Sequence, residues 1–207
     1  MSRIKLKDAI VTKEKAPDPK IVFGSTIESY YKGVDQSEDL LKCPNLLYVK
    51  NRYRQGETDP LVLNSFTQSL RHASERVWIL DTYMNKNLSN NGVFESLLKS
   101  IIINSSTLDV RFYLKSKVNE SEIKGLIDFS NDEIREQRGS NVATNIVCGF
   151  YDDLSYLHDR FAIIDNILWH FGSDVGASLP SLHATSYGWN VDKLNIINFF
   201  EELWAER

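Results

Sequence analysis

Near the end of the 207-residue chain, His158-Asp159-Arg160 is followed by Asp165 and then by Gly172-Ser173. An imidazole can act as nucleophile or proton carrier near neutral pH, and a guanidinium is a permanent, two-pronged anion binder. Side chains two apart on an extended strand share a face, so His158 and Arg160 are expected to point the same way. Strict alternation sends Asp165 to the opposite face. It can join His158 only if the strand ends or twists first, which the turn signal at Asp165-Asn166 permits. Gly172-Ser173 adds a flexible backbone and a hydroxyl where a phosphate oxygen can sit. Together these groups can hold an anion such as phosphate beside an imidazole.

The elements that must position them can be read from periodicity. Asp59 can cap a helix whose first position is Pro60, and Val62, Phe66, Leu70 and Ala73 then recur at helical spacing. Val77-Trp78-Ile79-Leu80 is an apolar run that suits a buried strand ending at Asp81. Val93, Phe94, Leu97, Leu98, Ile101 and Ile102 mark an amphipathic helix. Leu108, Val110, Phe112 and Leu114 alternate with Asp109, Arg111 and Tyr113, as on a strand with one polar face. Ile123, Leu126, Ile127 and Ile134 support a third helix, stopped by Gly139. Residues 142–148, 157–164 and Ile167 to Phe171 read as strands, and Leu194, Ile197, Phe200, Leu203 and Trp204 form one face of a closing helix. This order describes an α/β sandwich around a mixed sheet. Before Asp59-Pro60 the pattern changes to short apolar pieces such as Ile21-Val22-Phe23, broken by prolines and glycines.

Bulk composition narrows the class. With 42% hydrophobic and 11% aromatic residues, most of the chain should fold. The net charge of -4 argues against a basic nucleic-acid coat; residues 1–60 carry 11 Lys+Arg against 9 Asp+Glu, and the remainder 13 against 19. Lys50-Asn-Arg52-Tyr-Arg54 is the densest basic cluster, a solvated loop or a contact with nucleic-acid backbone. Cys43 and Cys148 are expected to be reduced thiols, since they are far apart and have no metal-type partner nearby. Cys148, His158, His170 and His183 lack the close spacing of a zinc site. With no secretory signal and no apolar run of membrane-spanning length, a soluble cytoplasmic protein is expected.

His158-x-Arg160, four residues, Asp165, six residues and Gly172-Ser173 resembles the phospholipase D superfamily signature His-x-Lys, four residues, Asp, six residues, Gly-Ser-x-Asn. The resemblance covers about residues 59–207 and leaves 1–58 as an N-terminal extension of short strands or irregular segments. It implies a phospholipase D-like mixed β-sheet sandwiched by helices. It also implies a phosphodiesterase needing neither metal nor other cofactor, in which His158 attacks phosphorus to form a covalent phosphohistidine. Arg160 would clamp the phosphate, Asp165 would support the histidine, and Gly172 and Ser173 would contact phosphate. The chain has one such motif, since His72, His170 and His183 lack an equivalent neighbourhood. A homodimer would therefore supply the second histidine that protonates the leaving group.

Nucleic acid is expected as substrate rather than lipid. No membrane-binding amphipathic helix is evident, and short single-motif members resemble nucleases and restriction enzymes. Three departures favour a rival, a catalytically degenerate module that binds phosphate, nucleic acid or a protein partner. Arg160 replaces lysine, Val175 stands where the phosphate-holding asparagine belongs, and no acid occurs around Ser186-Tyr187 to hold the histidine.

Overall fold

The computed structural model describes residues 20–23, 61–84, 88, 92–106, 108–139, 144–176 and 184–207. In chain order these form β1 (Lys20–Phe23), α1 (Leu61–His72), β2 (Arg76–Asp81), α2 (Val93–Ile102), β3 (Asp109–Lys115) and α3 (Glu120–Arg138). β4 (Asn145–Tyr151), β5 (Arg160–Ile164), β6 (Ile167–Phe171), β7 (Ala184–Asn190), α4 (Val191–Leu194) and α5 (Ile196–Ala205) complete the order. The seven strands make one sheet in the order β1-β7-β6-β5-β2-β3-β4. β2, β3 and β4 run parallel, while β5, β6, β7 and β1 join by antiparallel pairings. The architecture is therefore α/β with an open mixed sheet.

β2 sits between β5 and β3, which explains its unbroken apolar run: a central strand is covered on both faces. Val77 and Ile79 join a core with α1, α2 and α3, whereas Trp78 and Leu80 join a second core with Phe200 and Leu203 of α5. Phe66 of α1 packs edge-on against Trp169 and Phe171 of β6, at 5.1 and 5.2 Å between centroids. Truncating so buried a phenylalanine costs about 3–5 kcal/mol. The strand that leads to Gly172-Ser173 is thus anchored from the α1 side.

Two differences from the sequence expectation have clear causes. β3 does not present a polar face, because α5 covers it. Tyr113 is fully buried there, and Arg111 lies between Trp78 and Trp204 at 4.4 and 5.2 Å while pairing with Asp109 and Glu201 at 2.8 and 2.9 Å. β7 escapes a periodic reading because Gly188, with φ of 106°, and a register shift near Trp169 interrupt its alternation. At the β4 end of the sheet, the Asn131 side chain donates to the Ile146 carbonyl at 3.0 Å and accepts its N–H at 2.8 Å. That amide takes the place of a further strand and blunts the edge.

The closing helix is broken at Asn195, at φ 53°, which leaves Leu194 in α4 and the other expected residues in α5, whereas the end of α3 follows the expectation. Gly139, at φ 88°, stops α3, and its N–H bonds the Arg135 carbonyl at 2.8 Å. The Asp59 cap and Pro60 lie outside the described residues, as do Cys43, Arg52, Arg54 and His183. Cys148 is a free thiol on β4, and burial pushes its pKa up to about 11. No helix among the described residues is long and apolar enough to cross a membrane.

Candidate active site

Strand register brings one group of the expected residues together. Leu80 lies opposite Phe161, and Arg160 opposite Phe171, so the end of β2, the start of β5 and the end of β6 meet at one margin of the sheet. Asp81, Arg160 and Ser173 are buried at this margin. His158 lies in the loop before β5, and its side chain is 90% exposed. The strand starts at Arg160, so alternation does not govern His158. The two side chains therefore do not share a face as expected.

Arg160 faces protein groups, although its buried Nε makes no hydrogen bond. Its guanidinium donates to the His158 carbonyl, lies 4.2 Å over the Tyr83 ring, and holds Nε 3.8 Å from Asp81 Oδ1. Its side chain is only 9% exposed. The residue expected to clamp phosphate instead ties the histidine loop to a buried carboxylate.

Asp81 is the hub of that tie. Its Oδ1 accepts the Tyr83 and Met84 N–H groups at 2.7 and 3.0 Å, and its Oδ2 accepts the Val175 N–H at 2.9 Å. Burial raises its pKa against the opposing pull of the Val175 and Tyr83 N–H groups and of Arg160. Val175, which stands in the asparagine position, thus contributes through its backbone. Ser173 donates to Asp174 Oδ1 at 2.9 Å, and Gly172 is half-buried just after β6. Gly176 turns the chain at φ 94°, and a Cβ there would come within 2.9 Å of Leu63 Cδ1.

Asp165 does not join these residues. It sits in the β5–β6 turn at φ 53°, five residues along the chain from Arg160, or roughly 17 Å at the rise of a strand. Its carboxylate accepts the N–H groups of Ser74, Glu75 and Arg76 at 2.8 to 3.2 Å, and the Ser74 hydroxyl at 3.1 Å. The expected supporter of the histidine is instead a brace for the connection from α1 to β2. Its place follows from the tight turn: strand β5 runs its full length before the reversal.

The acid beside His158 is Asp159. Its Oδ1 lies 3.0 Å from His158 Nδ1, and its Oδ2 lies 2.7 Å from Nε2 of His170 on β6. These two hydrogen bonds, His158 first, hold the Asp159 carboxyl below the usual range. His170 stacks on Phe161 at 5.2 Å, and its Nδ1 lies 3.5 Å from Ser186 Oγ on β7. The Trp189 indole N–H donates to Ser186 Oγ at 3.3 Å. The sequence pattern assigned His170 no part in the site, and the acid was sought downstream near Ser186. The usable signal was proximity across the hairpin: Asp159 immediately precedes β5, and Phe161, two residues on, pairs with His170.

No protein-family model matches the chain, and no curated protein matches it. Among the solved structures similar to it are two at 12% identity. One is TrmBL2, an archaeal chromatin protein described with a novel mode of DNA binding, matched over 95% of this chain and 55% of that one with a TM-score of 0.47. The chain thus spans about half the length of that protein. The other is NucT from Helicobacter pylori, matched over 75% of this chain and 91% of that one with a TM-score of 0.42.

Proposed function

We propose that the protein is a phospholipase D-like phosphodiesterase acting on nucleic acid, with His158 Nε2 as the nucleophile in a site completed by a second copy of the chain. One observation carries this: Asp159 lies at hydrogen-bond distance from His158 Nδ1 while the ring stands in solvent. A carboxylate only accepts, so Nδ1 carries the proton and Nε2 keeps its lone pair. That is the form an attacking imidazole needs. In the first step Nε2 bonds to phosphorus and the bond to the leaving oxygen breaks. Asp159 balances the charge that develops on the ring. The leaving oxygen takes its proton from Nε2 of His158 in the second copy, which enters the step as the doubly protonated imidazolium; left neutral, that ring then takes a proton from the water that breaks the N–P bond.

In this account Arg160 is a positioning residue, holding the His158 carbonyl to Asp81. The backbone at Gly172-Ser173, beside the start of β5, is assigned to the phosphate. We assign residues 59–207 to the catalytic domain and 1–58 to an extension, of which β1 pairs with β7.

The commitment of Arg160, together with the apolar side chain of Val175, favours a second reading: a module that binds phosphate or nucleic acid without turnover. Incubation with single- and double-stranded DNA, RNA and bis-p-nitrophenyl phosphate, with and without EDTA, separates the two. EDTA-resistant cleavage lost in His158→Ala supports the enzyme, and binding without turnover in both proteins supports the module. Cleavage abolished by EDTA contradicts the histidine mechanism. A monomeric mass in sedimentation with activity retained contradicts the shared site.

A further inference from the structure

His158 has little packing of its own, so its orientation must come through the groups that hold it. Its loop precedes β5, and its side chain is 90% exposed. Asp159, in the same loop, is 39% exposed and could rotate into solvent if His158 were its only partner. The fixed point is one step further. His170 belongs to β6, lies in register with Phe161, stacks on that ring and brings Nε2 to 2.7 Å from Asp159 Oδ2.

Hydrogen-bond polarity along this line is decided at both ends. The Trp189 indole nitrogen can only donate, and it donates to Ser186 Oγ. The Ser186 hydroxyl proton is then available to His170 Nδ1, 3.5 Å away, at the long end of hydrogen-bond range. Asp159 at the other end can only accept, so His170 must present Nε2–H and His158 must present Nδ1–H. Each donor finds an acceptor with no conflict, and the one nitrogen left bare on the exposed ring is His158 Nε2.

We infer that His170 is a positioning residue for the nucleophile: with Ser186 and Trp189 behind it, it clamps Asp159 and thereby fixes the Nδ1–H tautomer of His158. This deepens the proposed function, because it names what orders a histidine that has almost no contacts of its own. The order is carried from β6 and β7 of the sheet to the exposed loop before β5 through a single carboxylate.

The test reads the tautomer directly. Long-range ¹⁵N–¹H correlation spectra of the histidine rings, recorded where imidazoles are neutral, should show His158 with Nδ1 protonated and Nε2 bare. His170→Phe keeps the ring stack on Phe161 but removes the hydrogen bond, and should return His158 to a mixture of tautomers. In the same variant kcat for phosphodiester cleavage should fall by about tenfold with KM unchanged. His170→Gln, whose amide can still donate to Asp159, should restore both signals. Ser186→Ala, a smaller change should His170→Phe not fold, should give an intermediate shift. An unchanged His158 tautomer in folded His170→Phe, or in Ser186→Ala, overturns the inference and leaves the nucleophile standing. Undiminished cleavage by His158→Ala, with the tautomer as described, overturns the proposed function and leaves the clamp standing.

Discussion

Asparagine in place of Asp81 tests how the site margin is held. The carboxylate ties four groups together: the N–H donors of Tyr83, Met84 and Val175, and the guanidinium of Arg160 at 3.8 Å. An asparagine can keep its oxygen on Tyr83 and Met84, but its NH2 then faces the Val175 N–H. Leaving that buried donor unpaired costs about 1–3 kcal/mol. Removing the charge also strands a nearly buried guanidinium, and breaking such pairs costs roughly 3–5 kcal/mol. Relief of the desolvation that raises the Asp81 pKa offsets part of this. The net destabilisation expected for Asp81→Asn is therefore ~3 kcal/mol. Arg160→Met, which keeps an apolar stem over Tyr83, should cost a similar amount. Urea unfolding at constant m-value measures both variants. The double variant should cost less than the sum by about 1–3 kcal/mol, because neither charge is then stranded. Additivity within about 0.5 kcal/mol would refute the coupling and, with it, the account of how the His158 loop is tethered.

Asp165→Ala should destabilise the fold by about 2–3 kcal/mol through the orphaned Ser74, Glu75 and Arg76 donors, yet leave the ring resonances of His158 unchanged; a selective change at His158 would restore Asp165 to the site. The Asp159 carboxyl should titrate below 3.8 by carbon-detected NMR, and rise in both His158→Ala and His170→Phe. A depressed folded-state pKa contributes stability that is present above the unfolded value and is lost as pH falls through the folded one. The stability gap between wild type and Asp159→Asn should therefore persist down to about pH 4 and close as the pH falls further, through the folded-state value. A gap that fails to close below about pH 4 would contradict the bonding pattern at Asp159.

Legibility in the sequence depended on how local the governing physics was. α2 and β6 appear at their expected bounds because apolar periodicity and the Asp165-Asn166 turn are short-range signals. β7 was hidden by Gly188 and its bulge, and the buried face of Tyr113 by α5, which only tertiary packing places there. At the site, the motif located His158 and Arg160 but not their partners. Asp159 and His170 are 11 positions apart in the chain, and only the β5–β6 pairing makes them neighbours. Asp81 and Arg160 meet likewise across the β2–β5 pairing, and an arginine expected to hold substrate is drawn inward by that carboxylate. Spacing can show which residues belong to a motif; strand register decides what each one touches.

The claim at the centre of this account is that His158 becomes covalently linked to phosphorus. Turnover of a phosphodiester in the presence of EDTA, quenched in alkali and followed by intact mass and peptide mapping, measures this directly. The account predicts a phosphoryl adduct on the peptide containing His158, formed before steady state and absent in His158→Ala. Cleavage that proceeds with no adduct, or that survives in His158→Ala, would contradict it.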